Sequence, residues 1–106
     1  MTIHDIDARD VARRLADHSI VLIDVREPQE YAAERIPGAL LFPLSSFDPA
    51  ALPEHEKRSI VFHCGSGIRS AKAVSACTAA GIACDQHMRG GIQAWKAAGL
   101  PTIAGG

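Results

Sequence analysis

The stretch Ser59-Ile60-Val61-Phe62-His63-Cys64-Gly65-Ser66-Gly67-Ile68-Arg69-Ser70 reads as a strand, a glycine-bearing turn and the opening of a helix. Ile60 to Phe62 form an unbroken apolar run, the pattern of a strand covered on both faces. Arg69–Ala80 is rich in alanine and predicts a helix, and Gly81 follows as the residue that can take the left-handed conformation closing it. Strand, short turn and helix in immediate succession is the unit from which parallel α/β sheets are built. It also puts Cys64 at the C-terminal end of a strand, where ligand sites of open α/β sheets lie.

The rest of the chain repeats that alternation. Asp7 is placed to cap a helix whose apolar positions Val11, Ala12, Leu15 and Ala16 follow helical spacing. Ile20–Asp24 is a second short apolar strand, and Pro28 suits the first turn of a helix filled by Gln29–Glu34. Ile36-Pro37-Gly38 ends that helix and leads into the apolar run Ala39–Phe42. Pro43 to Pro53 reads as loop with one short helical turn, and polar Glu54–Arg58 precedes the Cys64 strand. A last strand is expected over Ile82–His87, broken by Gly90-Gly91. A closing helix over Ile92–Ala98 is stopped by Gly99-Leu100-Pro101, and Thr102–Gly106 is expected to form a loosely held tail. The expected architecture is one α/β domain over residues 1–106 with a mostly parallel sheet.

Composition narrows the function. With 106 residues, 47% hydrophobic and 22% charged, the chain has the balance of an ordinary soluble globular domain. Eleven basic and twelve acidic residues are interspersed, and one Trp, one Tyr and three Phe offer little for base stacking, so nucleic acid is not an expected partner. The N-terminus lacks the charged and apolar regions of a signal peptide, and the runs Ile20–Ile23 and Ala39–Phe42 are too short to cross a bilayer. Cys64, Cys77 and Cys84 make an odd count without C-x-x-C spacing, which suits neither a disulfide framework nor a zinc site and points to a reducing cytoplasm.

The Cys64 turn carries the chemistry. Loop amides and the positive end of the following helix converge on the thiol, which favours the thiolate. Gly65 and Gly67 are expected to take positive φ and let amides approach an anion. Arg69 is expected to neutralise the thiolate and hold an oxyanion with its fork of donors, while Ser66 and Ser70 add hydroxyls. A strand-end cysteine by itself reads as a small buried hydrophobe, and Arg69 as a solvated helix residue; the glycines, the arginine and the strand–loop–helix context together reverse that reading. Only four residues, Gly65, Ser66, Gly67 and Ile68, separate Cys64 from Arg69. Cysteine-dependent phosphatases place five there, so the shorter loop makes a tighter cradle, better matched to a single sulfur or a small sulfur anion.

With these residues in view, the chain resembles the rhodanese-like domain family, the thiosulfate sulfurtransferases, in its single-domain form. Asp24-Val25-Arg26-Glu27 with Glu30-Tyr31, then Ile36-Pro37-Gly38-Ala39, the loop Cys64–Ser70, and Gly90-Gly91 with Trp95 and Gly99-Leu100-Pro101 carry the likeness in the expected order. It implies a three-layer α/β/α fold around a five-stranded parallel sheet. It further implies that Cys64 takes the outer sulfur of a donor such as thiosulfate as a persulfide and passes it to cyanide, a thiol or a carrier protein, with no metal or organic cofactor. By the same likeness Asp24 and Arg26 form polar contacts that hold the loop in shape. Arg35 departs from the pattern, standing where many members carry a histidine. Two other functions stay open: a sulfur carrier or regulatory module that binds a protein partner, and, less favoured by the short loop, a small phosphatase or arsenate reductase.

The remaining residues have blander readings. His63 is expected to point away from Cys64 into packing, because side chains alternate along a strand. Cys77 and Cys84 read as core fillers, with a resolving thiol as the alternative. Ile92, Trp95, Tyr31 and Phe42 read as packing. His4, His18, His55 and His87 lack metal-ligand spacing and read as solvated or hydrogen-bonded, and Arg89 reads as solvated, with a place at the site mouth as the alternative.

Overall fold

A computed structural model describes residues 3–53 and 57–105 of the chain. His55, part of the polar Glu54–Arg58 segment and Gly106 lie outside the described residues. The elements in order are β1 (His4–Ile6), α1 (Ala8–Ala16), β2 (Ile20–Asp24), α2 (Pro28–Ala33), β3 (Glu34–Arg35), β4 (Leu40–Leu41), two short 3-10 turns (Leu44–Ser46 and Pro49–Ala51), β5 (Ser59–His63), α3 (Ile68–Ala79), β6 (Gln86–Met88), α4 (Gly91–Ala97) and β7 (Ile103–Ala104).

Five strands form one parallel sheet in the order β1-β6-β5-β2-β4. The central pair aligns Ile20 with Ser59 through Asp24 with His63, so Asp24 and Cys64 emerge at the same sheet end. The continuous apolar runs of β2 and β5 follow from burial on both faces. Alternation divides them: Leu22 and Val61 join Val11 of α1 and Ile92 and Trp95 of α4 in one core. Ile23, Ile60 and Phe62 join Ala73, Val74 and Cys77 of α3 in the other, where Phe47 meets Phe62 edge-on at 5.6 Å. The result is the three-layer α/β/α arrangement expected, with helices on both faces. Among the described residues no helix is long and apolar enough to cross a membrane.

Local chemistry sets the element ends. Asp7 caps α1 by accepting from the Arg9 amide at 3.1 Å. Pro28 opens α2, and Glu30 accepts from the Glu27 amide at its N-terminus at 3.0 Å. Tyr31 donates to the Ala39 carbonyl at 2.7 Å, and Trp95 donates to that of Pro101 at 2.8 Å, so both rings also fasten backbone.

One strand stands outside the expected elements, and two expectations change. β1 has no apolar run of its own; its strand character comes from pairing with β6, His4 to Gln86 and Ile6 to Met88. The last strand is only Gln86–Met88, because the chain leaving α3 first turns back, with the Ile82 amide bonded to the Cys77 carbonyl at 2.8 Å. The C-terminal segment is not loose: Ile103 and Ala104 pair antiparallel with Arg35 and Glu34, the Gly105 amide donates to the Ala33 carbonyl at 2.8 Å, and the Thr102 hydroxyl donates to Glu34 at 2.7 Å. Two residues of strand leave no periodicity to read, and both partners are 68 or more positions apart in sequence.

The tightest backbone approach lies where α4 meets the Cys64 turn. Gly91 has φ +59, and a Cβ there would overlap the Cys64 carbonyl oxygen and stand 2.6 Å from the Gly65 carbonyl carbon. Gly91→Ala is therefore expected to lower stability by about 3 kcal/mol or more. At Gly81, with φ +74 and nothing within 4 Å of a Cβ, alanine is expected to cost only about 1 kcal/mol. Urea unfolding of the two variants checks the contrast; equal losses would mean the close approach carries no cost.

Candidate functional site

Cys64 follows the last residue of β5 and is 1% exposed. Its carbonyl accepts from the Ile92 amide at 2.8 Å, and the Gly65 carbonyl accepts from Gln93 at 3.3 Å. With the Gly65 carbonyl turned toward the N-terminus of α4, the N–H of the same peptide plane, that of Ser66, faces the other way, toward sulfur. Gly67 donates to Sγ at 3.1 Å and Ser70 at 3.3 Å, and the Ser70 hydroxyl lies 3.6 Å from Sγ. Burial opposes ionisation of this thiol, but the Ser70 hydroxyl and the amides of Ser70, Gly67 and Ser66 outweigh it and hold Cys64 below the ordinary thiol value. Gly67, at φ +107, makes the turn that starts α3. Gly65 does not take positive φ; its missing Cβ instead leaves room for the Arg69 guanidinium, which would stand 3.1 Å from such an atom.

Arg69 departs from its expected role. Its fork is closed on Glu30 of α2, Nη1 to Oε1 at 2.6 Å and Nη2 to Oε2 at 3.0 Å, rather than opened toward sulfur. Cation and anion beside the loop thus largely cancel, and the thiolate is held chiefly by amides and a hydroxyl. Arg69 pulls the Glu30 carboxyl down to about 2. Ser66 and Ile68 reach outward, Ile68 being 68% exposed at the rim.

Asp24 and Arg26 are both buried and bind each other. Asp24 accepts from the Arg26 amide at 2.9 Å and from its Nη2 at 2.8 Å, and the same Nη2 donates to the Glu34 carbonyl at 2.6 Å. His63 lies between them and the loop: its Nδ1 is 3.3 Å from the Cys64 carbonyl oxygen, and its Nε2 stands 3.4 Å from Asp24 without a hydrogen bond. Burial drives the His63 imidazole below its ordinary value despite the Asp24 carboxylate, so the ring is neutral and turned away from Sγ.

Behind the loop lies a second polar group that sequence reasoning passed over. The Ser70 Oγ is 2.8 Å from Nδ1 of His87, and His87 Nε2 is 2.6 Å from Asp5 Oδ1. Asp5 and His87 are register partners on β1 and β6, 82 positions apart. The only sequence signal was one histidine in a short strand, without its partner.

Other candidates lie elsewhere. Arg35 sits over the Tyr31 ring at 5.4 Å and donates toward the Gly105 carbonyl, away from Cys64. Cys77 and Cys84 are buried core residues, both thiols pushed up by burial, Cys77 to about 11. The Arg89 side chain is exposed. Among the described residues no cluster of His, Cys, Asp and Glu is arranged to hold a metal ion.

The profile of the Rhodanese-like domain family matches residues 7–98, and the chain belongs to that family. It is 38% identical over 104 residues to a sulfurtransferase of Allochromatium vinosum, covering 96% of each chain. It is 42% identical over 85 residues to an uncharacterized protein of Synechocystis sp., covering 80% of this chain and 48% of that one, so it spans about half that relative's length. The crystal structure of a rhodanese-related protein from Thermoplasma volcanium superposes with a TM-score of 0.81 at 29% identity, covering 94% of this chain and 97% of the other.

Two outcomes follow from the geometry. Alkylation of Cys64 by iodoacetamide is expected to follow an ionisation below the ordinary thiol value, and Ser70→Ala to move it upward, because the hydroxyl is the largest single cause of the lowering; mass spectrometry across a pH series reads both. Glu30, ordinarily near 4.5 and held at about 2, contributes stability above its ordinary value that is lost as pH falls toward the lower one. Glu30→Gln is expected to reduce the stability lost between about pH 6 and about pH 3 by about 0.5 kcal/mol, small because the pair is partly exposed. Urea midpoints at the two pH values measure it, and equal losses would show the pair to be energetically silent.

Proposed function

We propose that this domain transfers a sulfane sulfur from a small anionic donor such as thiosulfate to a thiophilic acceptor through a persulfide on Cys64. The observation that carries the reading is the convergence of the Gly67 and Ser70 amides on Sγ within a short loop at the start of α3. Family membership and the likeness to a sulfurtransferase of nearly equal length support sulfur transfer as the reaction class.

In the first step Cys64 Sγ, as thiolate, attacks the outer sulfur of thiosulfate. A Cys64 S–S bond forms, the donor's S–S bond breaks, and sulfite leaves with the electron pair. The loop amides stay aimed at the charge as it moves between the two sulfurs, and this preorganisation lowers the barrier. In the second step cyanide, a thiolate or a protein acceptor attacks the terminal sulfur, and Cys64 departs as thiolate, restoring the site. The backbone of Gly65, Ser66 and Gly67 and the Ser70 amide and hydroxyl form the cradle, with the Ile68 side chain at its outer rim. Arg69, tied to Glu30, shapes the loop and lends its charge at a distance; Asp24 and Arg26, bonded to each other, brace the end of β2 beside His63. Three reduced cysteines suit a reducing cytoplasm.

A second reading, a sulfur carrier loaded by another protein, is favoured by two observations: Cys64 is 1% exposed, and the loop's arginine is already occupied by Glu30. The same occupation leaves no free guanidinium fork for a phosphate or arsenate at this site.

Incubation with thiosulfate is expected to add about 32 Da to the wild type and nothing to Cys64→Ser, with thiocyanate forming when cyanide is present. An adduct without turnover would select the carrier. No adduct with any sulfane donor, together with hydrolysis of an aryl phosphate, would sink the sulfur reading.

A further inference from the structure

A thiol that is 1% exposed must still lose its proton, and the loop amides around it only donate. Among the described residues the acceptor facing Cys64 Sγ–H is Ser70 Oγ, at 3.6 Å. Ser70 can pass its own proton to the Gly67 carbonyl side at 3.2 Å or to His87 Nδ1 at 2.8 Å, and of these only the imidazole can become an acid. Asp5, 2.6 Å from Nε2, fixes the tautomer: its carboxylate takes the Nε2–H and leaves Nδ1 as the base facing Ser70. His87 itself is buried, whereas the Asp5 side chain is 50% exposed, so the chain of groups runs from the enclosed sulfur to water.

We propose that Ser70, His87 and Asp5 form a proton relay that activates Cys64, with His87 as the terminal base. The S–H proton moves to Ser70 Oγ as the Ser70 O–H proton moves to His87 Nδ1. One proton is transferred, no electrons change hands, and a thiolate and an Asp5-paired imidazolium result. Ser70 then turns its remaining hydrogen to Sγ and accepts from the imidazolium. The arrangement uses the logic of a hydroxyl–histidine–carboxylate triad with the hydroxyl as conductor rather than nucleophile. His87 does not touch sulfur and is a positioning and relay residue.

Other charged groups around the loop do not compete for that proton. Arg69 from α3 is closed on Glu30 from α2. Asp24 and Arg26 at the end of β2 bind each other, and His63 on β5 faces Asp24 and the Cys64 carbonyl. Gly67 alone of the loop glycines packs at the His87 ring, where a Cβ would lie 3.9 Å from Cε1.

The inference rests on Cys64 being the reacting group of the proposed function, but its test needs no sulfur donor. Two titrations are made on the full chain: Cys64 alkylation by iodoacetamide in wild type, His87→Gln and Asp5→Asn, and the His87 imidazole by nitrogen-15 NMR in wild type and Cys64→Ala. The relay expects Nε2–H as the neutral tautomer and alkylation at about pH 7 slowed about fivefold in His87→Gln, with a smaller loss in Asp5→Asn. Reciprocity then requires the His87 midpoint to fall in Cys64→Ala, where the native His87 and Asp5 are intact. A His87 midpoint unmoved in Cys64→Ala overturns the relay, even if His87→Gln reacts slowly, since a merely structural histidine would give that result. Loss of persulfide formation with the coupling intact would overturn the sulfur reading and leave the relay standing.

Discussion

The site depends on two hydrogen bonds that have nothing to do with sulfur. The Ile92 and Gln93 amides at the start of α4 take the carbonyls of Cys64 and Gly65, at 2.8 and 3.3 Å. Because each peptide plane fixes its N–H opposite its C=O, claiming the Gly65 carbonyl on one side aims the Ser66 amide toward Sγ on the other, while the turn at Gly67 and the start of α3 bring the Gly67 and Ser70 amides. The contact is possible only because Gly91 has no Cβ to strike the loop backbone. One helix terminus therefore gives up its unpaired donors to orient the loop, and a second, at α3, meets the thiolate itself. The Trp95 and Ile92 core positions hold α4 in place for this purpose.

Charge is handled by enclosure more than by neutralisation. Arg69 is matched by Glu30, and Arg26 by Asp24, so neither of these cations is left bare beside sulfur. A thiolate stabilised by fixed dipoles keeps its nucleophilicity better than one in a tight ion pair, and the same dipoles can follow charge onto a terminal sulfur. The buried Asp24–Arg26 pair works at one remove at the C-terminal end of β2, and His63, at the end of β5, meets the Cys64 carbonyl through Nδ1. The Ser70–His87–Asp5 group approaches from α3, β6 and β1, so the thiol is gripped from both sides of the sheet's central strand.

Much of this was legible along the chain. β2, β5 and α3 announced themselves because each is a local pattern: an apolar run or a helical composition with a glycine stop. The Cys64–Ser70 loop was legible for the same reason, its donors, turn and thiol lying within seven consecutive residues. Arg69 was half legible: its place beside the loop was read, while its commitment to Glu30, 39 positions away, was not. Asp5 and His87 were invisible, since neither residue type nor spacing relates them until β1 and β6 pair in register. The β3–β7 pairing was missed for want of length, two residues on each strand.

Sequence by itself determined the α/β class, the position of Cys64 at the strand end and the size of its loop, because these are set by hydrophobic period, glycine placement and the count between Cys64 and Arg69. Tertiary structure alone decided the electrostatics: which acid meets which base, how far the thiol is enclosed, and which carbonyls α4 removes from the loop. The reason is physical. Secondary structure and turn geometry arise from neighbours in the chain, whereas hydrogen bonds between side chains require approach within about 3 Å, and in a parallel sheet the residues brought that close come from strands separated by whole crossover connections.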